Sequence, residues 1–141
     1  MRVVLDTNVL VSACWKPDGL EARVVQMARD GILVVCVSPV IFAEYRDVLV
    51  RRKLRSIQTK AEDLLQWLEA AAVLVEPTST VAAATDEDDN RFLECAEAAL
   101  AEALITGNLR HYPAGWKSTP VENARTFLTR CFPASDILVA D

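Results

Sequence analysis

The stretch Val3-Val4-Leu5-Asp6-Thr7-Asn8 decides the fold class, because a short aliphatic run ends abruptly in polar residues. Its three aliphatic residues show no polar alternation, which is typical of a strand covered on both faces. A second buried strand is predicted at residues 33–37, and further strands are predicted at residues 73–75, 103–106 and 119–121. Helices are predicted around residues 8–14, 20–29, 40–52, 59–72, 88–101 and 122–131. Strands that alternate with helices predict a three-layer α/β/α fold, with a central, mostly parallel, twisted sheet of four or five strands.

Length and composition fit one folded domain. The chain has 141 residues, of which 52% are hydrophobic and 25% charged, and this balance excludes a disordered chain. We place the domain at residues 1–132 and treat residues 133–141 as a C-terminal tail with no assigned role. The longest apolar run, residues 32–37, is far shorter than the roughly 20 residues that cross a bilayer, so no membrane partner is expected. Four scattered cysteines without a CxxC pair favour reduced core thiols and a cytoplasmic protein.

Asp6 directly follows the first predicted strand. In an open parallel sheet, sites gather beyond the carboxyl ends of the strands, which is where this side chain would lie. An aspartate at such a position is equally compatible with a turn or with the N-cap of the following helix. Asp6 is therefore a candidate functional residue, with a structural cap as the alternative.

Glu44 is more informative, because it falls inside an apolar stripe. The stripe of its predicted helix is formed by Val40, Ile41, Tyr45, Val48 and Leu49. Glu44 comes three residues after Ile41 and four before Val48, so it shares their face. An unpaired carboxylate on a core-facing stripe is costly and needs a cation or a proton. The alternative interpretation is an ion pair with Arg46 or Arg2.

Asp89 repeats this pattern at the start of a later helix. The predicted buried face of that helix is formed by Phe92, Leu93, Ala96 and Leu100. Asp89 lies three residues before Phe92 and so opens the buried face. The neighbouring Asp86, Glu87 and Asp88 suit the positive end of the helix dipole. The helix dipole accounts for Glu87 and Asp88. It does not explain why the spacing places Asp89 on the buried face of the helix.

Three converging carboxylates without a cysteine or histidine partner favour a hard cation, Mg²⁺ or Mn²⁺. Such a site leaves positions for water and a phosphate group, which is the arrangement for metal-assisted phosphodiester cleavage. A Ser-His-Asp site is disfavoured, because the single histidine, His111, has no nucleophile motif beside it. No GxxxxGK[ST] or GxGxxG motif occurs, so the usual nucleotide-binding folds are excluded.

Four segments together resemble the PIN domain family in their order and spacing. They are Asp6-Thr7-Asn8 after an aliphatic strand, Glu44 in an early helix, the run DEDDNRFLECA at residues 86–96, and Leu104-Ile105-Thr106-Gly107-Asn108. The resemblance spans nearly the whole chain, from Arg2 to about Leu128. It is closest to the stand-alone, VapC-like toxin components of type II toxin–antitoxin pairs. It implies an endoribonuclease that depends on Mg²⁺ or Mn²⁺, acts on RNA, is inhibited by a cognate antitoxin protein and forms a homodimer.

The resemblance also implies roles for individual residues. Asp6, Glu44 and Asp89 fall on the acidic positions that bind metal and activate water. Asn8 and Thr106 fall on positions that hold neighbouring acidic side chains by hydrogen bonds. These five residues are therefore the expected metal ligands and their supports.

Asn108 departs from the family pattern, because it stands at the fourth acidic and catalytic position. An asparagine offers an oxygen to a metal but no charge, so we expect one tight metal site and at most a weak second one. Asp86 or Glu102 are candidates to compensate. The departure also keeps a second hypothesis open, a catalytically weak PIN-like module that binds RNA or protein. A third, an acidic-site phosphatase, would carry a second aspartate at position 8, where this chain has Asn.

Substrate contacts are predicted from a cluster of cations that follows Glu44: Arg46, Arg51, Arg52, Lys53 and Arg55. They could hold RNA phosphates beside the acidic site, which would make binding sensitive to salt. The alternative is a solvated helix end whose cations suit the dipole. The 20 acidic residues exceed the 15 basic ones by 20 − 15 = 5, which by itself argues against a nucleic-acid partner. Since part of this excess lies at the predicted metal site, net charge is a poor guide here.

Overall fold

The computed structural model describes residues 1–133, except for the side chains of residues 52 and 53. The predicted tail at 133–141 thus lies outside the described residues apart from its first residue. The described strands are β1 (Arg2–Leu5), β2 (Val34–Val37), β3 (Val73–Leu74), β4 (Ala103–Ile105), β5 (Gly115–Trp116) and β6 (Thr119–Glu122). The described α-helices are α1 (Thr7–Trp15), α2 (Leu20–Arg29), α3 (Pro39–Leu49), α4 (Gln58–Ala71), α5 (Asn90–Ala99) and α6 (Ala124–Cys131). In this part of the chain, no helix combines the length and apolarity that crossing a membrane requires.

The strands form one sheet in the order β3-β2-β1-β4-β6-β5. All neighbours are parallel except β5, which pairs antiparallel with β6. The predicted mostly parallel α/β fold is therefore confirmed, and all five predicted strands are present. The sixth strand, β5, was not predicted, because two residues before a tight turn at Lys117 (φ 53°) carry no periodic signal.

The central strand β1 fixes the position of the site. Its residues Val3, Val4 and Leu5 are almost completely buried, as expected of a strand covered on both faces. Leu5 pairs with Ile105 of β4, so the chain leaves both strands at the same edge of the sheet. Helix α5 packs against β1, β2 and β4, while α2 contacts both α1 and α6.

Two residues that were predicted to be buried are exposed. Leu100 is 74% exposed, because it adopts a left-handed conformation (φ 51°) that ends α5 and takes its side chain out of the helical phase. Val40 is 50% exposed. The buried face of α3 follows Ile41, Tyr45 and Leu49, and Val40 lies about 100° around the helix from Ile41.

Three helices also differ from their predicted bounds, among them α6, which begins at Ala124 because Glu122 ends strand β6. Helix α3 ends at Leu49 rather than near residue 52, since Arg51 is extended and a 3-10 helix, Arg52–Ile57, follows. A 3-10 turn, Glu87–Asp89, precedes α5, so Asp89 lies just before the α-helix rather than inside its first turn.

The long connection between β3 and α5 is fastened by buried side chains of α5. Asn90 is 1% exposed, and its Oδ1 accepts hydrogen bonds from the N–H groups of Ala83 (2.9 Å) and Ala84 (2.8 Å). Glu94, also buried, accepts from the N–H of Val81 at 2.9 Å. These bonds set the path of the segment that leads to the acidic turn.

Asn90→Ala leaves two backbone donors without their partner, so we expect it to lower the free energy of unfolding by about 2–3 kcal/mol. Urea denaturation of the purified protein measures this loss. The matched control is Asn123→Ala, which removes an N-cap from α6, where Asn123 accepts a bond from Thr126. Loss of such a cap typically costs about 1 kcal/mol. Equal losses in the two variants would contradict the proposed fastening.

Candidate functional site

A cleft of about 470 Å³ opens at the edge of the sheet where β1 and β4 end. Its most unusual feature is the number of carboxylates that line it: Asp6, Glu44, Asp86, Asp88 and Asp89. Further polar residues of the same cleft are Thr7, Asn8, Ser12, Arg51, Asn108 and His111. The structure thus brings the three predicted metal ligands together with Asn8, Asp86 and Asn108.

Asp6 lies at the bottom of this site, with 6% of its surface exposed. It occupies the N-cap position of α1, but its side chain makes no capping hydrogen bond. Instead, Oδ2 accepts hydrogen bonds from the Thr106 hydroxyl at 2.8 Å and the Tyr112 hydroxyl at 3.0 Å. The capping alternative therefore does not explain this side chain.

Glu44 is half-buried on α3 and accepts a hydrogen bond from the hydroxyl of Thr7. Burial raises the pKa of Glu44, the bond from Thr7 opposes this, and the nearby charge of Asp6 raises it further. Neither of the expected alternative partners forms an ion pair with Glu44 within the described part of the chain. The Arg46 guanidinium lies over the ring of Phe42, 5.1 Å from its centroid. Arg2 begins β1, at the opposite end of that strand from Asp6.

Asp89 ends the 3-10 turn before α5, and its Oδ2 lies 3.5 Å from Nδ1 of His111. Burial raises the pKa of Asp89 to about 6, and the nearby charges of Asp6, Asp86 and Glu44 add to this, whereas His111 opposes it. Burial is the larger cause of this rise, and the repulsion from the neighbouring carboxylates is the smaller one.

The loop after β4 connects several of these groups. The Thr106 hydroxyl donates to Asp6 and accepts from the N–H of Asn108 at 3.0 Å. Asn8 was expected to hold an acidic side chain, but its Oδ1 accepts from the N–H of Gly107 at 2.9 Å. A Cβ at Gly107 would come within 3.3 Å of that oxygen, so the close approach of α1 to this loop favours glycine.

Of the two candidates to compensate for Asn108, only Asp86 reaches the cleft. Its Oδ1 accepts from the N–H of Asp88 at 3.0 Å. Glu102 precedes β4, and its Oε2 accepts from the N–H of Arg2 at 2.9 Å. Because β1 and β4 are parallel, that contact lies at the opposite edge of the sheet, so the suggestion of Glu102 was wrong.

The predicted substrate-binding cations separate in space. Arg51 lines the acidic cleft and lies 3.7 Å from the carboxylate of Asp47. Arg46 lines a different groove, together with Phe42 and Leu74. The predictions for Arg52 and Lys53 concern side chains outside the described part of the structure.

Sequence reasoning missed three side chains of the site, namely Thr7, His111 and Tyr112. Thr7 and Tyr112 each bind a carboxylate, and His111 lies beside a third. Tyr112 is 8% exposed, and burial, followed by the charges of Asp6 and Asp89, raises its pKa, so it keeps its proton as a donor. The sequence offered one signal for two of them, the His111-Tyr112-Pro113 segment, which follows Thr106-Gly107-Asn108 in a way that resembles a variant of the PIN pattern but assigns neither residue a role.

The chemistry of this donor set fits a divalent cation. Carboxylate and amide oxygens are the ligands that Mg²⁺ and Mn²⁺ prefer. Nevertheless, among the residues described, no three Asp, Glu, His or Cys side chains are gathered closely enough to form a ready-made metal centre. The cleft therefore supplies suitable ligands and excess negative charge, without a preformed coordination sphere.

The fold and this cleft define an α/β domain with an acidic site beyond the ends of its parallel strands. A family model described as PIN domain matches residues 2–110, and the chain belongs to that family. The expected resemblance is thereby confirmed. Members of the family are typically nucleases and generally use divalent metals.

Two further proteins are similar to this chain. The uncharacterized protein MJ1680 of Methanocaldococcus jannaschii is 31% identical over 111 residues, which cover 77% of this chain and 71% of the relative. The structure of VapBC2 from Rickettsia felis, bound to a DNA fragment from their promoter, contains a chain that aligns with a TM-score of 0.58. That alignment covers 87% of this chain and 98% of the other at 15% identity, so it supports the fold alone.

The raised pKa of Asp89 predicts how stability depends on pH when no metal is present. Asp89 binds its proton up to about pH 6 in the folded state, but only to about 3.8 when unfolded. Its contribution to stability is therefore lost as the pH rises from about 4 to about 6. We expect Asp89→Asn to raise the free energy of unfolding at pH 7.5 by about 2 kcal/mol, but to change little at pH 3.5.

Urea denaturation in EDTA at the two pH values measures this difference. Asp18→Asn, at an exposed aspartate outside the cleft, is the matched control and should give the same change at both. A pH-independent effect of Asp89→Asn would show that burial and neighbouring charge do not raise the pKa of this carboxyl.

Proposed function

We propose that this protein is a metal-dependent endoribonuclease that hydrolyses phosphodiester bonds of RNA and acts as the toxin of a toxin–antitoxin pair. The observation that carries the proposal is the convergence of Asp6, Glu44 and Asp89 on one cleft from three separate elements. Mutual repulsion makes such an arrangement unfavourable unless a cation binds it. Membership of a family of nucleases supports the same conclusion.

Asp6, Glu44 and Asp89 would hold the cation, Mg²⁺ or Mn²⁺, and Asn108 lines the same cleft. When bound, the metal supplies an acidified water molecule and neutralises charge on the scissile phosphate. Thr106 and Tyr112 hold Asp6, and Thr7 holds Glu44, by the hydrogen bonds described above. Asp6 follows β1, Glu44 lies on α3 and Asp89 ends the 3-10 turn before α5, so the packing of these elements orients the three side chains.

An antitoxin partner and a homodimer complete the proposal. The similarity to a chain of VapBC2 from Rickettsia felis supports a protein partner of the antitoxin class. The proposal of a homodimer is supported only by the resemblance to the stand-alone toxins of the PIN family. A specific observation also favours the second hypothesis, a binding module with little activity: Asn108 removes one carboxylate from the cleft, and the described ligands are not gathered into a preformed site. One assay separates the two.

Asp6→Asn should lower the rate of RNA cleavage about 100-fold or more, because it removes a charge from the metal ligands and alters the carboxylate that Thr106 and Tyr112 hold. Cleavage of a labelled RNA with Mn²⁺ measures the rate, and Asp18→Asn serves as the control that should retain it. If the wild-type protein cleaves no faster than Asp6→Asn yet still binds the RNA, the binding module replaces the nuclease.

Arg51→Ala should raise the KM for RNA about fivefold, because Arg51 is a cation that lines the acidic cleft. The slope of log KM against log salt concentration should also fall by about one, because one contact with a phosphate is lost. Arg46→Ala is a matched control, since Arg46 is a nearby arginine that lines a different groove. Cleavage rates at several KCl concentrations measure both variants. The same KM increase in the two variants would mean that substrate does not follow the acidic cleft.

A further inference from the structure

The turn that follows β4 contacts two of the candidate ligands at once. It contains the 3-10 helix Leu109–His111, and Tyr112 comes directly after it. The His111 ring lies beside Asp89, the Tyr112 hydroxyl donates to Asp6, and the His111 carbonyl accepts from the N–H of Thr85 at 2.9 Å. This turn therefore joins the loop after β4 to the segment that leads to the acidic residues before α5.

Both hydrogen bonds that the Asp6 carboxylate accepts go to the same oxygen. Tyr112 and Thr106 both donate to Oδ2, at 3.0 Å and 2.8 Å. Within the described part of the chain, no hydrogen bond reaches Oδ1. Two donors on one oxygen restrain the orientation of the carboxylate more strongly than a single donor does. Asp6 lines the cleft, so the oxygen without a donor is the one available to a ligand.

We propose that Tyr112 is a positioning residue, which orients the Asp6 carboxylate through Oδ2 and so reserves Oδ1 for a divalent cation. This inference rests on the proposed function, because it requires that the cleft binds a metal. Hydrogen bonds of this kind, to groups that in turn contact a metal, typically change metal affinity 10- to 100-fold. Tyr112 supplies its bond without adding charge, since its hydroxyl donates as a neutral group.

A purely structural role for Tyr112 would have a different signature. Buried hydroxyl groups are nearly always hydrogen-bonded, and losing such a bond lowers stability wherever it lies. Tyr45 provides the comparison within this chain. It is completely buried, and its hydroxyl donates to the backbone carbonyl of Leu5 rather than to a carboxylate. Tyr112→Phe and Tyr45→Phe therefore each remove one buried hydroxyl and keep the aromatic ring.

The test is calorimetric titration of Mn²⁺ into the purified protein. We expect Tyr112→Phe to raise the Kd for Mn²⁺ about tenfold, while Tyr45→Phe stays within about twofold of wild type. Thermal melts in EDTA establish that both variants fold. In RNA cleavage, Tyr112→Phe should need more Mn²⁺ for half-maximal rate, and saturating Mn²⁺ should restore most of the rate with an unchanged KM for RNA.

The outcomes separate this inference from the proposed function. If Asp6→Asn abolishes Mn²⁺ binding while Tyr112→Phe binds as wild type, the inference is wrong and the metal site stands. Equal weakening by Tyr112→Phe and Tyr45→Phe also overturns it, because the effect is then one of general packing. If the wild-type protein binds no Mn²⁺ at millimolar concentration, both the inference and the metal-dependent function fail.

Discussion

Several carboxylates converge on one cleft, and the surrounding fold has to offset the cost of their burial and mutual repulsion. Asp6, Glu44 and Asp89 reach one cleft from three elements, and burial together with neighbouring negative charge raises the pKa of the last two. Hydrophobic burial of the central strand opposes this repulsion, because it fixes the strand end from which Asp6 projects. Hydrogen bonds from Thr7, Thr106 and Tyr112 then hold the individual side chains. A ligand that neutralises the cleft would stabilise the fold by binding its folded state.

Much of the fold could be predicted, because its signals are local. Short, mainly apolar runs that alternate with helices predicted a mostly parallel sheet of four or five strands, and apolar spacing predicted α2 with its observed bounds, Leu20–Arg29. The predictions that were wrong concern places where the backbone departs from regular helix or strand geometry. Leu100 turns out of α5 in a left-handed conformation, and α3 ends early because Arg51 is extended. Strand β5 is too short to carry any pattern.

Only the parts of the candidate site that lie in predicted helices could be placed from the sequence, because helical spacing shows which face a residue shares. Helical spacing placed Glu44 on an apolar stripe and Asp89 at the start of the buried face of a helix, and both residues line the cleft. Helical spacing does not extend to Arg51, because Arg51 is extended beyond the end of α3, and only the folded chain shows that it lines the cleft while Arg46 does not. Tyr112 and His111 lie after an irregular turn, so only the folded chain brings them to the carboxylates. Net charge misleads for a related reason, because it does not record that several of the acidic residues share one cleft.

Anomalous diffraction from crystals soaked in Mn²⁺ locates a bound cation without reference to activity. We expect one strong anomalous peak in the cleft, within coordination distance, about 2–2.6 Å, of oxygens from Asp6, Glu44 and Asp89. A peak confined to other acidic groups, or no peak in the cleft at millimolar Mn²⁺, would contradict this expectation.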